Sequence, residues 1–200
     1  MTHPTGGDRD QFDWTDRRYY GGDLPTEAEK ALHLAGVAWE DSLKAEGHLT
    51  DAMTFAPGHL AVHLAHYKFY FYKHRYPEAA PHALACLTIA AERLGINPDW
   101  HHVRRQDAPF DGLGDNEAGS EGRLWLFSLT AYGYVLVRAG EIDRGRAALV
   151  QAAALDGTGQ TGAQRILDSL DRGPDPDDEE DDEDDDGSPN QTQHSRQGTP

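Results

Sequence analysis

Three histidines recur at helical spacing in the first half of the chain. His59, His63 and His66 stand at positions i, i+4 and i+7, so a helix projects their imidazoles from nearly the same side. Neutral imidazole nitrogens bind zinc and related transition metals. With a rise of ~1.5 Å per residue the rings spread over about 10 Å, too far for one ion to bind all three. Two of them could bind a metal with ligands from another helix. The pattern otherwise favours histidines packed with aromatic rings between helices.

The other polar residues form no established catalytic or cofactor motif. The chain has neither an HExxH sequence nor a pair of CxxC sequences. Residues 112–114 lack the later glycine and the preceding strand of a dinucleotide fingerprint, and Asp111, Asp115 and Glu117 do not have the spacing of a calcium loop. Cys86, the single cysteine, lies within an apolar helical pattern, which predicts a buried and inert thiol. The sequence therefore predicts a non-enzymatic protein that binds no cofactor.

The distribution of charge separates the end of the chain from the rest. Of the 35 acidic residues, 11 lie in residues 173–200 beside one arginine, so this segment carries −10 of the net charge of −17. The rest is still net acidic, whereas nucleic-acid affinity comes largely from Lys and Arg that neutralise phosphates. We therefore expect no nucleic-acid partner. The polar N-terminus lacks a secretory signal, and no apolar stretch approaches the ~18 residues of a membrane span, which predicts a cytoplasmic protein without membrane contact.

Helical periodicity predicts the elements that carry these residues. The predicted helices cover residues 26–46, 59–72, 76–94 and 163–170, and a hairpin of two further helices covers residues 126–156. Residues 107–122 are Gly-rich and acidic, which predicts an irregular loop. Residues 24–172 should thus form one all-α domain of antiparallel helical hairpins. A flexible N-terminal arm (residues 1–23) and a disordered acidic tail (residues 173–200) should flank this domain.

The hairpin over residues 126–156 carries the alternation of large and small residues by which tetratricopeptide repeats pack. Its matching positions are Leu129, Tyr132, Gly133, Leu136, Gly145, Leu149 and Ala152. A weaker copy lies upstream at His63, His66, Tyr67, Tyr70, Ala79, Ala83 and Cys86. Tyr67 departs from the pattern, because it stands where a small residue belongs. Gly133 and Tyr67 are 66 residues apart, close to twice the family's period of about 34. The chain thus resembles a tetratricopeptide-repeat array with two degenerate units; another kind of helical bundle is the alternative.

The resemblance implies a right-handed array of helical hairpins with a peptide-binding groove on its concave face. In that register the groove presents Lys68, Phe71, Phe127, Thr130, Tyr134 and Arg138. Aromatic rings beside Lys and Arg suit an apolar segment that carries a carboxylate. The resemblance therefore predicts a protein–protein interaction module, an adaptor or assembly chaperone, whose partners are protein clients. The alternative function is a metal-handling protein or metal-dependent enzyme that uses the His-rich helix at residues 59–74.

The run of ten acidic residues at 177–186 admits three roles. Such a run repels itself and keeps a chain soluble, which is the role that its composition favours. It could also attract a basic client, since long-range attraction accelerates encounter. A third role is to cover a basic surface of the same protein, for which residues 100–105 are a candidate target.

Overall fold

A computed structural model of the chain describes residues 23–110 and 117–172, with side chains described from residue 120 onward in the second range. These residues form seven α-helices and two short 3-10 turns, with no strand among them. The helices are α1 (Thr26–Val37), α2 (Ser42–Phe55), α3 (Leu60–Tyr72), α4 (Tyr76–Leu94), α5 (Glu117–Arg138), α6 (Ile142–Leu155) and α7 (Ala163–Arg172). The predicted all-α fold is confirmed. The predictions for residues 1–22 and for the acidic tail concern parts of the chain outside the described ranges.

The N-terminal segment folds as two helices, so the prediction of a single helix over residues 26–46 is wrong. α1 ends at Val37, and α2 begins at Ser42, where the Asp41 carboxylate accepts the Lys44 N–H at 3.2 Å. A carboxylate in this position caps the exposed amides of a new helix. Between the two helices, Trp39 meets Phe69 of α3 edge to face, with ring centroids 5.7 Å apart. A local cap and a distant ring contact therefore outweigh a periodicity that continues through the break.

α3 and α4 form the next hairpin, joined by residues 73–75. The His59 imidazole precedes α3 and caps it by accepting the Ala61 N–H at 3.1 Å. After α3, His74 has a left-handed backbone with a φ of +57°, a conformation that stops a helix. Gly95 ends α4 in the same way, with a φ of +66°. The short turn fixes the antiparallel order of the two helices.

α5 and α6 cross at two glycines that face each other. A Cβ atom added to Gly145 would lie 2.6 Å from the Gly133 carbonyl oxygen and 2.7 Å from the Val137 backbone nitrogen. A Cβ atom added to Gly133 would lie 2.8 Å from Leu149 Cγ. The two backbones thus approach more closely than any side chain permits. This crossing is the close contact that the glycines of the hairpin predict.

α5 is longer than its predicted part, because it begins at Glu117. The prediction of an irregular loop over residues 107–122 is therefore wrong for residues 117–122, which are helical. Phe110 packs against Trp125 of α5 with ring centroids 5.2 Å apart. The Pro109 carbonyl oxygen would lie 2.7 Å from a Cβ atom on Gly122. These contacts hold the chain before the undescribed residues 111–116 against the first turns of α5.

Two hydrophobic cores stabilise the helices. The N-terminal core lies among α1, α2 and α3, and its largest buried side chains are Leu32, Leu49, Val62 and Phe69. The C-terminal core lies among α4 to α7 and is built around Leu87, Trp125, Leu126, Leu129, Leu136 and Leu149. Tyr70 packs against both cores. The contact between α3 and α4 is therefore where the two cores meet.

The predicted terminal helix is confirmed as α7, which packs against α6. Leu167 is buried in the C-terminal core, and Ile166 and Leu170 pack against it. The turn before α7 is organised by Asp156, whose carboxylate accepts hydrogen bonds from the backbone and hydroxyl groups of Thr158 and Thr161 at 2.8–3.1 Å. Burial raises the pKa of Asp156, but these bonds outweigh it and bring the pKa to about 2. The turn is thus held by an ionised carboxylate.

Candidate functional site

The C-terminal ends of α3 and α5 meet above the start of α4. Phe71 of α3 contacts Tyr134 of α5, with ring centroids 5.8 Å apart. Arg138 donates a hydrogen bond from Nη1 to the Tyr134 hydroxyl at 2.9 Å, and its guanidinium lies 4.6 Å from the ring centroid of Tyr76. Three of the six predicted groove residues thus come together. We refer to Lys68, Phe71, Tyr76, Tyr134 and Arg138 as the α3–α5 face.

Two aromatic side chains hold the Arg138 guanidinium in place. Tyr134 accepts one of its N–H groups, and Tyr76 lies beneath it in a cation–π contact. The hydrogen bond to Tyr134 raises the pKa of Arg138 above its usual value, so the group stays charged. Arg138 is nevertheless exposed. A planar cation held this way keeps further N–H groups for a ligand carboxylate, which arginine binds in a two-pronged geometry.

Lys68 lies one turn before Phe71 on α3 and is half-buried. Burial lowers the pKa of its ammonium group below the usual value. The neighbouring Tyr67 ring packs against Phe71 at 5.6 Å between centroids, and burial raises the pKa of its phenol. The second cation of the face therefore lies in an environment with less water than the surface of a helix usually has. Electrostatic attraction to a carboxylate is stronger in such surroundings.

The two remaining predicted groove residues lie further along α5 and differ in exposure. Thr130 is buried, and its hydroxyl donates to the Leu126 carbonyl oxygen of the same helix at 3.0 Å. It therefore does not belong to the exposed face, contrary to the prediction. Phe127 is 47% exposed and lies two turns before Tyr134 on the same side of α5 by helical spacing. It continues the apolar surface away from Arg138.

Acidic residues are missing from α3 and from the part of α5 that carries the face. Residues 52–77, which include all of α3, contain no Asp or Glu, and neither do residues 122–138 of α5. The whole chain carries a net charge of −17, so these two stretches depart from its composition. Lys68 and Arg138 are thus surrounded, along their own helices, by apolar, aromatic and neutral polar residues. Within the described ranges, the α3–α5 face is a cationic surface on an acidic protein.

Tyr76 was not predicted to be part of the site, although it forms the floor beneath Arg138. Its hydroxyl pairs with His74 Nδ1 at 2.9 Å, and its ring contacts Phe71 at 6.1 Å between centroids. The residue comes directly after the turn between α3 and α4. A helix start next to an aromatic-rich helix is the only signal for it in the sequence, and that signal does not specify which helix the ring faces.

His59, His63 and His66 do not gather around a common point. His59 Nε2 contacts the Asp23 carboxylate at 2.9 Å, apart from the other two. His63 donates from Nε2 to the Pro57 carbonyl oxygen at 2.9 Å, which leaves its Nδ1 facing His82 Nδ1 at 3.2 Å. His66 stacks on His82 with ring centroids 4.4 Å apart. Among the described residues, no group of three His, Cys, Asp or Glu side chains has an arrangement that could hold a metal ion.

His63, His66 and His82 form instead a cluster in the contact between α3 and α4. His66 donates from Nδ1 to the Val62 carbonyl oxygen at 3.0 Å, which fixes its neutral tautomer. Burial lowers the pKa of all three imidazoles, and that of His82 falls to about 4. Neutral rings therefore pack where the two cores meet, together with Tyr70, whose ring lies 5.8 Å from His82. His82 was not singled out by the sequence, because it pairs with α3 only across the hairpin.

The fold and the face define a protein of antiparallel α-helical hairpins with an aromatic, cationic surface between two of them. No protein-family model matches the chain, and no solved structure matches it. A curated protein, an uncharacterized 19.8 kDa protein in the nifW 5′ region of Azotobacter chroococcum mcd 1, is 31% identical over 126 residues. The match covers 63% of this chain and 69% of the relative. The chain belongs to the same family as that bacterial protein. Within the described residues, no helix is long and apolar enough to cross a membrane.

Proposed function

We propose that the protein is a non-enzymatic protein–protein interaction module, an adaptor or assembly chaperone, that holds a client peptide on the α3–α5 face. The observation that carries the proposal is the convergence of Phe71, Tyr134 and Arg138 from separate hairpins. The rings offer an apolar surface, and the fixed guanidinium offers paired N–H donors. The client segment that suits them is apolar and carries a carboxylate.

The arrangement of helices supports a tetratricopeptide-like form of this module. α3 pairs with α4, and α5 pairs with α6 through the Gly133–Gly145 crossing. In arrays of this kind the first helices of successive hairpins line the ligand surface. Here the first helices are α3 and α5, and they supply four of the five residues of the face. A right-handed succession of the hairpins is part of the proposal.

A photo-crosslinker on the edge of the face tests the proposal in the native cell. Phe127 and Val150 are matched in exposure, at 47% and 51%, but Val150 lies on α6, outside the face. A benzophenone side chain introduced at position 127 is expected to crosslink a client, whereas the same group at position 150 is not. The same client crosslinked equally from both positions, or no crosslink from position 127, would contradict the proposal.

The name of the bacterial relative places it in the 5′ region of nifW. We therefore choose the nifW product of Azotobacter chroococcum as the first protein to test as a client by purified-component crosslinking. Crosslinking from position 127 that is lost in the Tyr134→Ala, Arg138→Ala double variant would identify it as a client. Crosslinking that persists in this variant would place the contact elsewhere on the molecule.

A further inference from the structure

The strongest contrast in charge within the molecule is between the cationic α3–α5 face and the acidic end of the chain. The face carries Lys68 and Arg138 on two helices whose residues 52–77 and 122–138 lack acidic side chains. Residues 177–186 are ten consecutive acidic side chains. Residues 52–77 and 122–138 contribute no carboxylate that would repel such a segment, whereas the rest of the chain is rich in acidic residues. Charge complementarity therefore favours this face over most of the described surface.

The chain is long enough to connect the two. The described structure ends at Arg172, the last residue of α7. α7 packs on α6 and α6 packs on α5, and helices in contact lie about 10 Å apart, so α7 lies roughly 20 Å from α5. Residues 173–186 span up to about 46 Å when extended at ~3.3 Å per residue. The acidic run can therefore reach the face without unfolding α7.

The other basic segment, residues 100–105, is a poorer target because it already has its own carboxylates. Asp99 accepts from both His101 Nδ1 and His102 Nδ1, at 2.8 and 2.9 Å. The Asp107 carboxylate accepts the Arg104 N–H at 2.7 Å. Arg105 donates to the Leu155 carbonyl oxygen at 3.3 Å. An approaching acidic segment meets two carboxylates here and none along α3 or the described side chains of α5 that follow Glu121.

We propose that residues 177–186 bind the α3–α5 face of the same molecule and compete there with the client. This inference rests on the proposed function, because it assigns the resting occupant of the same surface. Carboxylates of the segment pair with Arg138 and Lys68, and a client gains access by displacing them. The competition weakens as salt rises, because exposed charges are screened beyond a Debye length of about 8 Å at physiological ionic strength.

Carbodiimide crosslinking of the full chain tests the contact directly. The reagent joins a carboxylate to a lysine amine in close contact, and the chain has only four lysines, at positions 30, 44, 68 and 73. Peptide mass spectrometry is expected to find residues 177–186 joined mainly to Lys68. Lys30 and Lys44, on α1 and α2, are internal controls. Lys73 reports the opposite side of α3, where its ammonium lies 5.1 Å from the Trp39 ring centroid.

Salt and Arg138 provide matched controls. The Lys68 crosslink is expected to fall at least fivefold in about 1 M salt, where the Debye length is about 3 Å, and to fall likewise in Arg138→Gln. The exposed Arg165→Gln on α7 should leave it unchanged. Crosslinks spread evenly over the four lysines, or their absence from Lys68, would overturn the inference. A yield that rises with protein concentration would assign the segment to a second copy and would also overturn it.

Because Lys68 is half-buried, a second measurement compares the reactivity of its amine with and without the acidic segment. Replacing the acidic residues of 177–186 with Asn and Gln is expected to raise the acylation rate of Lys68 by at least threefold and to leave that of Lys30 unchanged. Equal rates in the two proteins would contradict the inference. The unsubstituted chain separates the two proposals: a client crosslinked from position 127 without any tail contact refutes only the inference. A tail contact without a client refutes the proposed function and leaves the binding of residues 177–186 to the face standing.

Discussion

His63, His66 and His82 are neutral side chains packed where a charge would be costly. Burial lowers the pKa of each, that of His82 to about 4, whereas an unfolded histidine titrates near ~6.5. The unfolded chain therefore binds more protons once the pH falls below about 6.5, and the folded state loses stability from there down to about pH 4. Above pH 6.5 the contribution of the cluster is fully present.

This cluster predicts a specific pH dependence of the free energy of unfolding. Between pH 7.5 and 5 we expect His82 to account for a loss of about 1 kcal/mol, after allowance for its partial exposure. Urea unfolding at both pH values measures the loss, and His82→Gln should reduce it. The exposed His101→Gln is the control and should retain it. Parallel pH profiles for the wild-type and His82→Gln proteins would show that the cluster does not titrate as described.

Arg138 allows a test that separates binding from stability. Arg138→Lys keeps the positive charge but loses the planar guanidinium that bonds Tyr134 and lies against Tyr76. We expect client crosslinking from position 127 to fall about tenfold, a loss of ~1.4 kcal/mol. Because Arg138 is exposed, the free energy of unfolding should change by less than about 0.5 kcal/mol. Arg165→Lys should alter neither, and full crosslinking by Arg138→Lys would mean that charge alone suffices.

At the residue scale, spacing within a helix was predictable and pairing between helices was not. Tyr134 and Arg138 stand four residues apart, so their contact follows from helical geometry alone. The position of Phe71 beside them is predicted only by the register of the tetratricopeptide-like repeat. The sequence does not predict Tyr76, and it indicates His82 only as one of several histidines that could add a metal ligand, because the neighbours of both residues depend on the register of the α3–α4 hairpin. That register is set by the turn at His74, whose left-handed backbone has no reliable signal in a histidine.

At the scale of elements, the crossing of α5 and α6 depends on two missing side chains. Gly145→Ala puts a Cβ atom 2.6–2.7 Å from backbone atoms of Gly133 and Val137, and backbone atoms cannot move aside without separating the helices. We expect a loss of about 2–3 kcal/mol in the free energy of unfolding by urea denaturation. Gly47→Ala is the control, since nothing lies within 4 Å of its added Cβ atom inside α2. It should stabilise by about 0.5–1 kcal/mol. Equal effects of the two substitutions would show that the crossing tolerates a methyl group.

Helix boundaries are predictable where a glycine ends the helix, and they are not predictable where contacts with other parts of the chain set them. Gly95 and Gly140 mark helix ends by their left-handed backbones, and glycine there is a readable signal. The break between α1 and α2, at residues 38–41, contains no glycine or proline, and Trp39 and Asp41 fit the periodicity of a continuing helix, so the sequence does not indicate it. For residues 117–122 the error is the reverse, because their glycines predict a loop and the structure shows a helix. Packing of Gly122 against Pro109 supports a helix in a sequence that reads as a loop.

At the scale of the whole molecule, the two cores are joined through α3, which packs on α4 and contacts Tyr134 of α5, and we expect them to unfold separately. Leu32 lies in the N-terminal core and Leu129 in the C-terminal core, and both are fully buried. Leu32→Ala is expected to cost about 2–5 kcal/mol and to speed amide exchange in α1 to α3 while α5 and α6 keep their protection. Leu129→Ala should have the converse pattern. Hydrogen exchange with mass spectrometry distinguishes this from a uniform loss of protection, which would indicate a single cooperative unit.

The fold class and the distribution of charge along the chain are predictable from the sequence, but the packing of the helices against one another is not. Helical periodicity identified an all-α chain, and composition separated the acidic end at residues 173–200 from the rest. The sequence also contained the two acid-free stretches, residues 52–77 and 122–138. Their meaning became apparent only when the hairpins brought α3 and α5 together. A surface that lacks acidic residues forms only when folding brings such stretches together.

Cys86 gives the protein a built-in reporter. The thiol is buried in α4, the helix of the C-terminal core that packs against α3, and burial raises its pKa to about 12. In the closed molecule it is protonated, shielded and slow to react with alkylating reagents. Every alkylation event therefore records an opening of α4, in a chain that holds no other thiol. The alkylation rate of the unmodified protein therefore measures how often α4 opens locally, with no label or substitution introduced.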